Sequence, residues 1–166
     1  ALGTVGANDS GAAGTDSLTL DGTAGADTIG LSATAATRGG ETVNYTGLES
    51  LTANGADDDD VFNVTSSATM TITVNGNAHA PAGGNTLNFD AEGLSVAADA
   101  SSLTAAGRQP VNFFTVENVN TSNAAGGQAA AARILRVLAF SLALFGVLFA
   151  VWTYGRQFAA TFTKWD

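Results

Sequence analysis

Short apolar–polar alternations recur along the first two-thirds of the chain, separated by Gly, Asn and Asp. Leu18-Thr-Leu20, Ile29-Gly-Leu31, Val43-Asn-Tyr45, Val61-Phe-Asn-Val64, Met70-Thr-Ile72-Thr-Val74 and Leu87-Asn-Phe89 all have period two, which predicts half-buried strands. Asn54-Gly55 and Asn75-Gly76 between them read as positive-φ turn pairs. No segment before Ala124 carries a helical stripe, so this part is expected to be all-β.

From Val137 to Gly155 the pattern changes to nineteen residues without a charge. At 1.5 Å per residue a helix of this length spans about 28 Å, close to the ~30 Å hydrocarbon thickness of a bilayer. Arg133 and Arg136 bound one end, and Trp152, Tyr154 and Arg156 the other, as interfacial aromatics and snorkelling cations do. The span predicts one transmembrane helix. Ala139, Ala143, Gly146 and Ala150 fall in one narrow stripe of it, the small-residue face that lets another helix approach closely in lipid. No His, Asp, Glu or Lys lies inside it, so the helix offers no proton relay and no imidazole ligand. Beyond it, Phe158, Phe162 and Trp165 sit at i, i+4 and i+7, an aromatic face for the membrane surface or a partner.

A longer period is also visible. Val43 to Leu51 matches Val111 to Val119 at an offset of 68, and Leu18 to Asp21 matches Leu87 to Asp90 at 69. The expected organisation is therefore a Gly/Ala-rich segment (1–16), a β domain of two diverged units of about 68 residues (17–123), an Ala-rich linker and helix start (124–136), the span (137–155) and an interfacial tail (156–166).

Charge divides at the same place. Residues 1–132 hold fourteen acidic side chains against Arg38 and Arg108, a net −12; residues 133–166 hold four basic against Asp166, a net +3. A domain this acidic has no means of neutralising phosphates, so nucleic acid is excluded as a partner. It is repelled by anionic headgroups and must stand off the bilayer or sit on another protein. The chain lacks cysteine, which removes disulfides and thiolate metal sites.

The blocks Leu18 to Ile29, Tyr45 to Gly55 and Asp60 to Val64 resemble the β-solenoid repeats of large secreted bacterial surface proteins, relatives in style of the calcium-binding RTX repeats. The resemblance covers residues 17–120 or so and none of the span. It implies an extracytoplasmic parallel β-solenoid or β-roll; a β-sandwich of the same strands is the alternative. Gly22-Thr-Ala-Gly-Ala-Asp27-Thr-Ile29 fits the RTX nonapeptide apart from Thr23, and Asp57-Asp58-Asp59-Asp60 follows a turn. Calcium needs six to eight oxygens, so Asp27, Asp57, Asp58, Asp59 and Asp60 are its candidate ligands, and a solvated acidic turn is the competing reading.

Catalysis has little to stand on. His79, the single histidine, lies in a loop by composition, nothing marks a nucleophile turn, and no Trp precedes position 152 to stack on a sugar. The start at Ala1, the secreted style and the anchor predict a processed protein of a bacterial inner membrane, with its β domain periplasmic and its tail cytoplasmic. The function expected is that of a non-catalytic accessory subunit of an integral membrane complex, respiratory or photosynthetic for example, whose partners are other transmembrane helices and the lipid bilayer. A membrane-anchored calcium-binding or adhesive surface protein is the second reading.

Overall fold

The computed structural model describes residues 5–8, 14–79 and 83–125. The chain divides into two units, Ala1–Ala130 and Ala131–Asp166, and every described residue belongs to the first. That unit is all-β, without an α-helix among the described residues. Its strands are β1 (Val5–Asn8), β2 (Ser17–Asp21), β3 (Thr28–Leu31), β4 (Ala35–Arg38), β5 (Glu41–Thr46), β6 (Ser50–Asn54), β7 (Val61–Thr65), β8 (Thr71–Asn75), β9 (Thr86–Asp90), β10 (Val96–Ala98), β11 (Ser102–Ala105), β12 (Val111–Phe114) and β13 (Asn118–Ser122).

They form two mixed sheets. One has seven strands in the order β1-β5-β4-β3-β7-β9-β13, the other six in the order β10-β11-β12-β8-β6-β2. Each passage of the chain lays one strand in the six-stranded sheet, turns, and lays the next in the seven-stranded sheet: β2 then β3, β6 then β7, β8 then β9, β12 then β13. Successive passages pair in parallel, β2 with β6 with β8 with β12, and β3 with β7 with β9 with β13. Two returns are elaborated. The chain between β3 and β6 adds β4 and β5, and that between β9 and β12 adds β10 and β11, in antiparallel pairs, and β5 pairs in parallel with β1 on its other side.

Period two then stacks like on like. Leu18, Leu51, Ile72 and Val111 are in register in one sheet, and Ile29, Phe62, Leu87 and Val119 in the other. These inward rows feed a single core in which Phe62, Phe89, Leu51, Ile72 and Leu87 are completely buried. Burying each such side chain contributes about 1.5–3 kcal/mol. The rows between them point outward: Thr19, Thr52, Thr73 and Asn112 on one sheet, Gly30, Asn63, Asn88 and Asn120 on the other. Asn88 Nδ2 donates to Asn63 Oδ1, and Asn120 Nδ2 to Asn88 Oδ1, each at 3.0 Å.

Four expectations need comment. All six predicted alternations contain strands. The offsets of 68 and 69 align β5 with β12 and β2 with β9, which lie in different sheets; the stacked strands are separated by shorter spacings, 33 residues between Leu18 and Leu51. Gly55 and Gly76 do not have positive φ; in the turns that follow them Ala56 (77°), Asp58 (75°) and Asn77 (56°) do. The two glycines answer a need for space instead. The predicted transmembrane helix, 137–155, lies outside the described residues, among which no helix is long and apolar enough to cross a membrane.

Candidate functional site

The turns that carry the chain from the six-stranded to the seven-stranded sheet stack into one acidic corner. Parallel register places the residues just before β3, β7, β9 and β13 in a column: Asp27, Asp60, Asn85 and Glu117. Each of the last three uses a side-chain oxygen to accept the backbone N–H of the residue above it. Asp60 Oδ1 accepts from Asp27 at 2.8 Å, Asn85 Oδ1 from Asp60 at 2.9 Å, and Glu117 Oε2 from Asn85 at 2.7 Å. Backbone carbonyls run the other way, Asp27 O accepting from Val61 N and Asp60 O from Thr86 N. The turn amides, which a sheet ladder would otherwise leave unpaired, are thereby satisfied.

A second column, Gly22, Gly55, Gly76 and Thr115, follows β2, β6, β8 and β12. A Cβ on Gly55 would overlap Asp60 Oδ2 and lie 2.9 Å from the Gly76 carbonyl oxygen; one on Gly76 would overlap the Thr115 carbonyl oxygen and come within 2.5 Å of Asn85 Nδ2. These glycines make room for the corner side chains.

The five candidate calcium ligands are distributed unequally around this corner. Asp27 Oδ2 accepts from the Thr23 amide at 2.5 Å and the Thr23 hydroxyl at 2.9 Å. Asp57 and Asp58 are exposed, Asp58 Oδ1 accepting the Asp59 amide at 2.9 Å. Asp59 Oδ1 accepts from Gly84 N at 3.0 Å. Asp60 is completely buried, and its Oδ2 is the one buried side-chain polar atom without a hydrogen bond among the described residues. Burial pushes the Asp60 carboxyl above the ordinary range; the bond from the Asp27 amide opposes this, and the charges of Asp27, Asp58 and Asp59 add to the rise. Among the described residues no three acidic, histidine or cysteine side chains are grouped so as to hold a metal ion. The calcium expectation gains nothing from this geometry.

Sequence reasoning missed Asn85, Glu117 and the glycine column. A signal was there. Ser17-Leu-Thr-Leu-Asp-Gly22 with Asp27, and Ser50-Leu-Thr-Ala-Asn-Gly55 with Asp60, repeat at 33 residues with the same five-residue step from glycine to corner. Asn85 and Glu117 sit at different steps from Gly76 and Thr115, so only the pairing reveals them.

His79 Nε2 lies 3.6 Å from Glu117 Oε1 at the same corner, both partly exposed. The two arginines of the domain are tied to its elaborated returns. Arg108 Nη2 donates to Glu92 Oε2 at 2.7 Å, and Arg38 pairs with Glu41 at 3.5 Å while donating to the Asp21 carbonyl. The helix-packing residues Ala139, Ala143, Gly146 and Ala150 lie outside the described residues. So do the membrane-interface residues Arg133, Arg136, Trp152, Tyr154, Arg156, Phe158, Phe162 and Trp165.

No known protein family, curated protein or solved structure matches the chain.

Proposed function

We propose that the protein is a non-catalytic accessory subunit of a larger integral membrane assembly. In this reading the β domain is a parallel β-solenoid, akin in style to RTX-like repeats, and stands on the extracytoplasmic side of a bacterial inner membrane. Residues 137–155 anchor it, and their Ala139/Ala143/Gly146/Ala150 stripe packs against a helix of the host complex.

The observation that supports a bracing role is the corner column. Asp27 and Asp60, two of the acids that sequence reasoning offers to calcium, and Asn85 and Glu117 beside them bond instead to the domain's own backbone or to Thr23. Such a module holds its shape through its own polar network. The strong negative charge of residues 1–132 keeps it off anionic headgroups and suits a seat on another protein.

The test is helix-specific. The full chain, tagged and extracted in mild detergent, should carry membrane partners at fixed stoichiometry. Ala143→Leu with Gly146→Leu should release them while leaving the chain in the membrane. Partners retained unchanged by the double variant would refute the packing role of the stripe. Their absence from the unaltered chain would refute the subunit reading.

A further inference from the structure

Asp60 and Asn85 hold the same corner position on neighbouring turns and have the same duty toward the backbone, each accepting the amide of the residue above through Oδ1. They differ at the second side-chain atom. Asn85 Nδ2 carries hydrogens and donates one to the Thr115 carbonyl at 3.1 Å, beside Gly76. Asp60 Oδ2 occupies the corresponding space beside Gly55, which it shares with the Gly76 carbonyl oxygen. An ionised carboxylate there would set acceptor against acceptor with no hydrogen between them. The observation that it has no partner and no exposure fits that arrangement. Asp27 escapes the problem, because Thr23 supplies two donors to its Oδ2.

We propose that Asp60 is a neutral carboxylic acid in the folded protein, with its Oδ2 hydrogen donated to the Gly76 carbonyl. The proton makes Asp60 the chemical equivalent of Asn85, and it clasps the second turn of the chain to the third. The charged neighbours all favour this state. Asp27 faces Asp60 from the turn before β3, and Asp58 and Asp59 from its own turn; Asn85, before β9, is neutral. The two described arginines are engaged elsewhere, Arg38 with Glu41 and Arg108 with Glu92. An acid held neutral by its fold contributes stability that is full at low pH and is lost as the pH rises through its raised value. The domain therefore carries a clasp that loosens as the pH rises.

Infrared spectra of the full chain in detergent, with aspartate carboxyls isotopically labelled, read the proton directly. A protonated-carboxyl band should be present in the folded protein at a pH where free aspartate is ionised, and fade as the pH is raised further. It should be lost in Asp60→Asn, whose amide keeps both hydrogen bonds and whose denaturation midpoint should no longer fall across that range. A folded wild-type protein without the band would overturn the proposal. So would a calcium titration that stabilises the wild type but not Asp60→Asn, which would place a cation where the proton is assigned.

Discussion

Asn85 Oδ1 accepts the Asp60 amide at 2.9 Å while Asn85 Nδ2 donates to the Thr115 carbonyl at 3.1 Å, so one buried side chain joins three successive turns of the chain. Removing it leaves a buried N–H and a carbonyl unpaired and opens a polar cavity. Asn85→Ala should cost about 2–4 kcal/mol in denaturant unfolding. Asn85→Asp should retain the bond from Asp60 but lose the donor to Thr115, and regain stability as the pH is lowered.

The glycine column makes a sharper contrast. Gly55→Ala drives a methyl group into Asp60 Oδ2 and against the Gly76 carbonyl, whereas a methyl on Gly25 meets nothing within 4 Å. Gly55→Ala should destabilise by about 2–3 kcal/mol and Gly25→Ala should be neutral within about 0.5 kcal/mol, as thermal unfolding of the two variants will show. Equal effects would mean that the corner relaxes freely.

Much of this fold was legible in the sequence, because period-two alternation survives wherever one face of a strand is buried. β2, β3, β5, β7, β8 and β9 announced themselves in this way. β4, with Ala35-Ala-Thr-Arg38, and β10, with Val96-Ala-Ala98, have too little apolar contrast to do so, and are held by their antiparallel partners. The corner was half legible. Asp27 and Asp60 drew notice as acids, but their work for the backbone follows from parallel register, which no local pattern encodes. Asn85 drew none, because its turn is longer than the turns before β3 and β7.

In the core, Phe62 lies between Ile29 and Leu87 in register and is completely buried. Phe62→Ala should cost about 3–5 kcal/mol, enough to leave much of a domain of ordinary stability unfolded. A loss under about 1 kcal/mol would mean that the inward row is misassigned.

Tyr45 sets an alkaline limit of its own. Its ring is buried, its hydroxyl donates to the Ser32 carbonyl at 2.6 Å, and burial pushes its pKa up to about 12. Its contribution is full below the ordinary tyrosine value and is lost as the pH rises through about 12. Tyr45→Phe should therefore cost about 1 kcal/mol at neutral pH and blunt the alkaline unfolding of the domain. An alkaline limb identical in the two proteins would remove Tyr45 from its causes.

The proposal that the chain braces a larger membrane assembly is decided by what accompanies it on extraction. On that proposal, native mass spectrometry of the detergent-extracted full chain, taken from the cells in which it is naturally made, should find it in a complex of fixed stoichiometry with integral membrane proteins. A chain released alone, without partners at any detergent strength that keeps membrane complexes intact, would contradict the subunit reading.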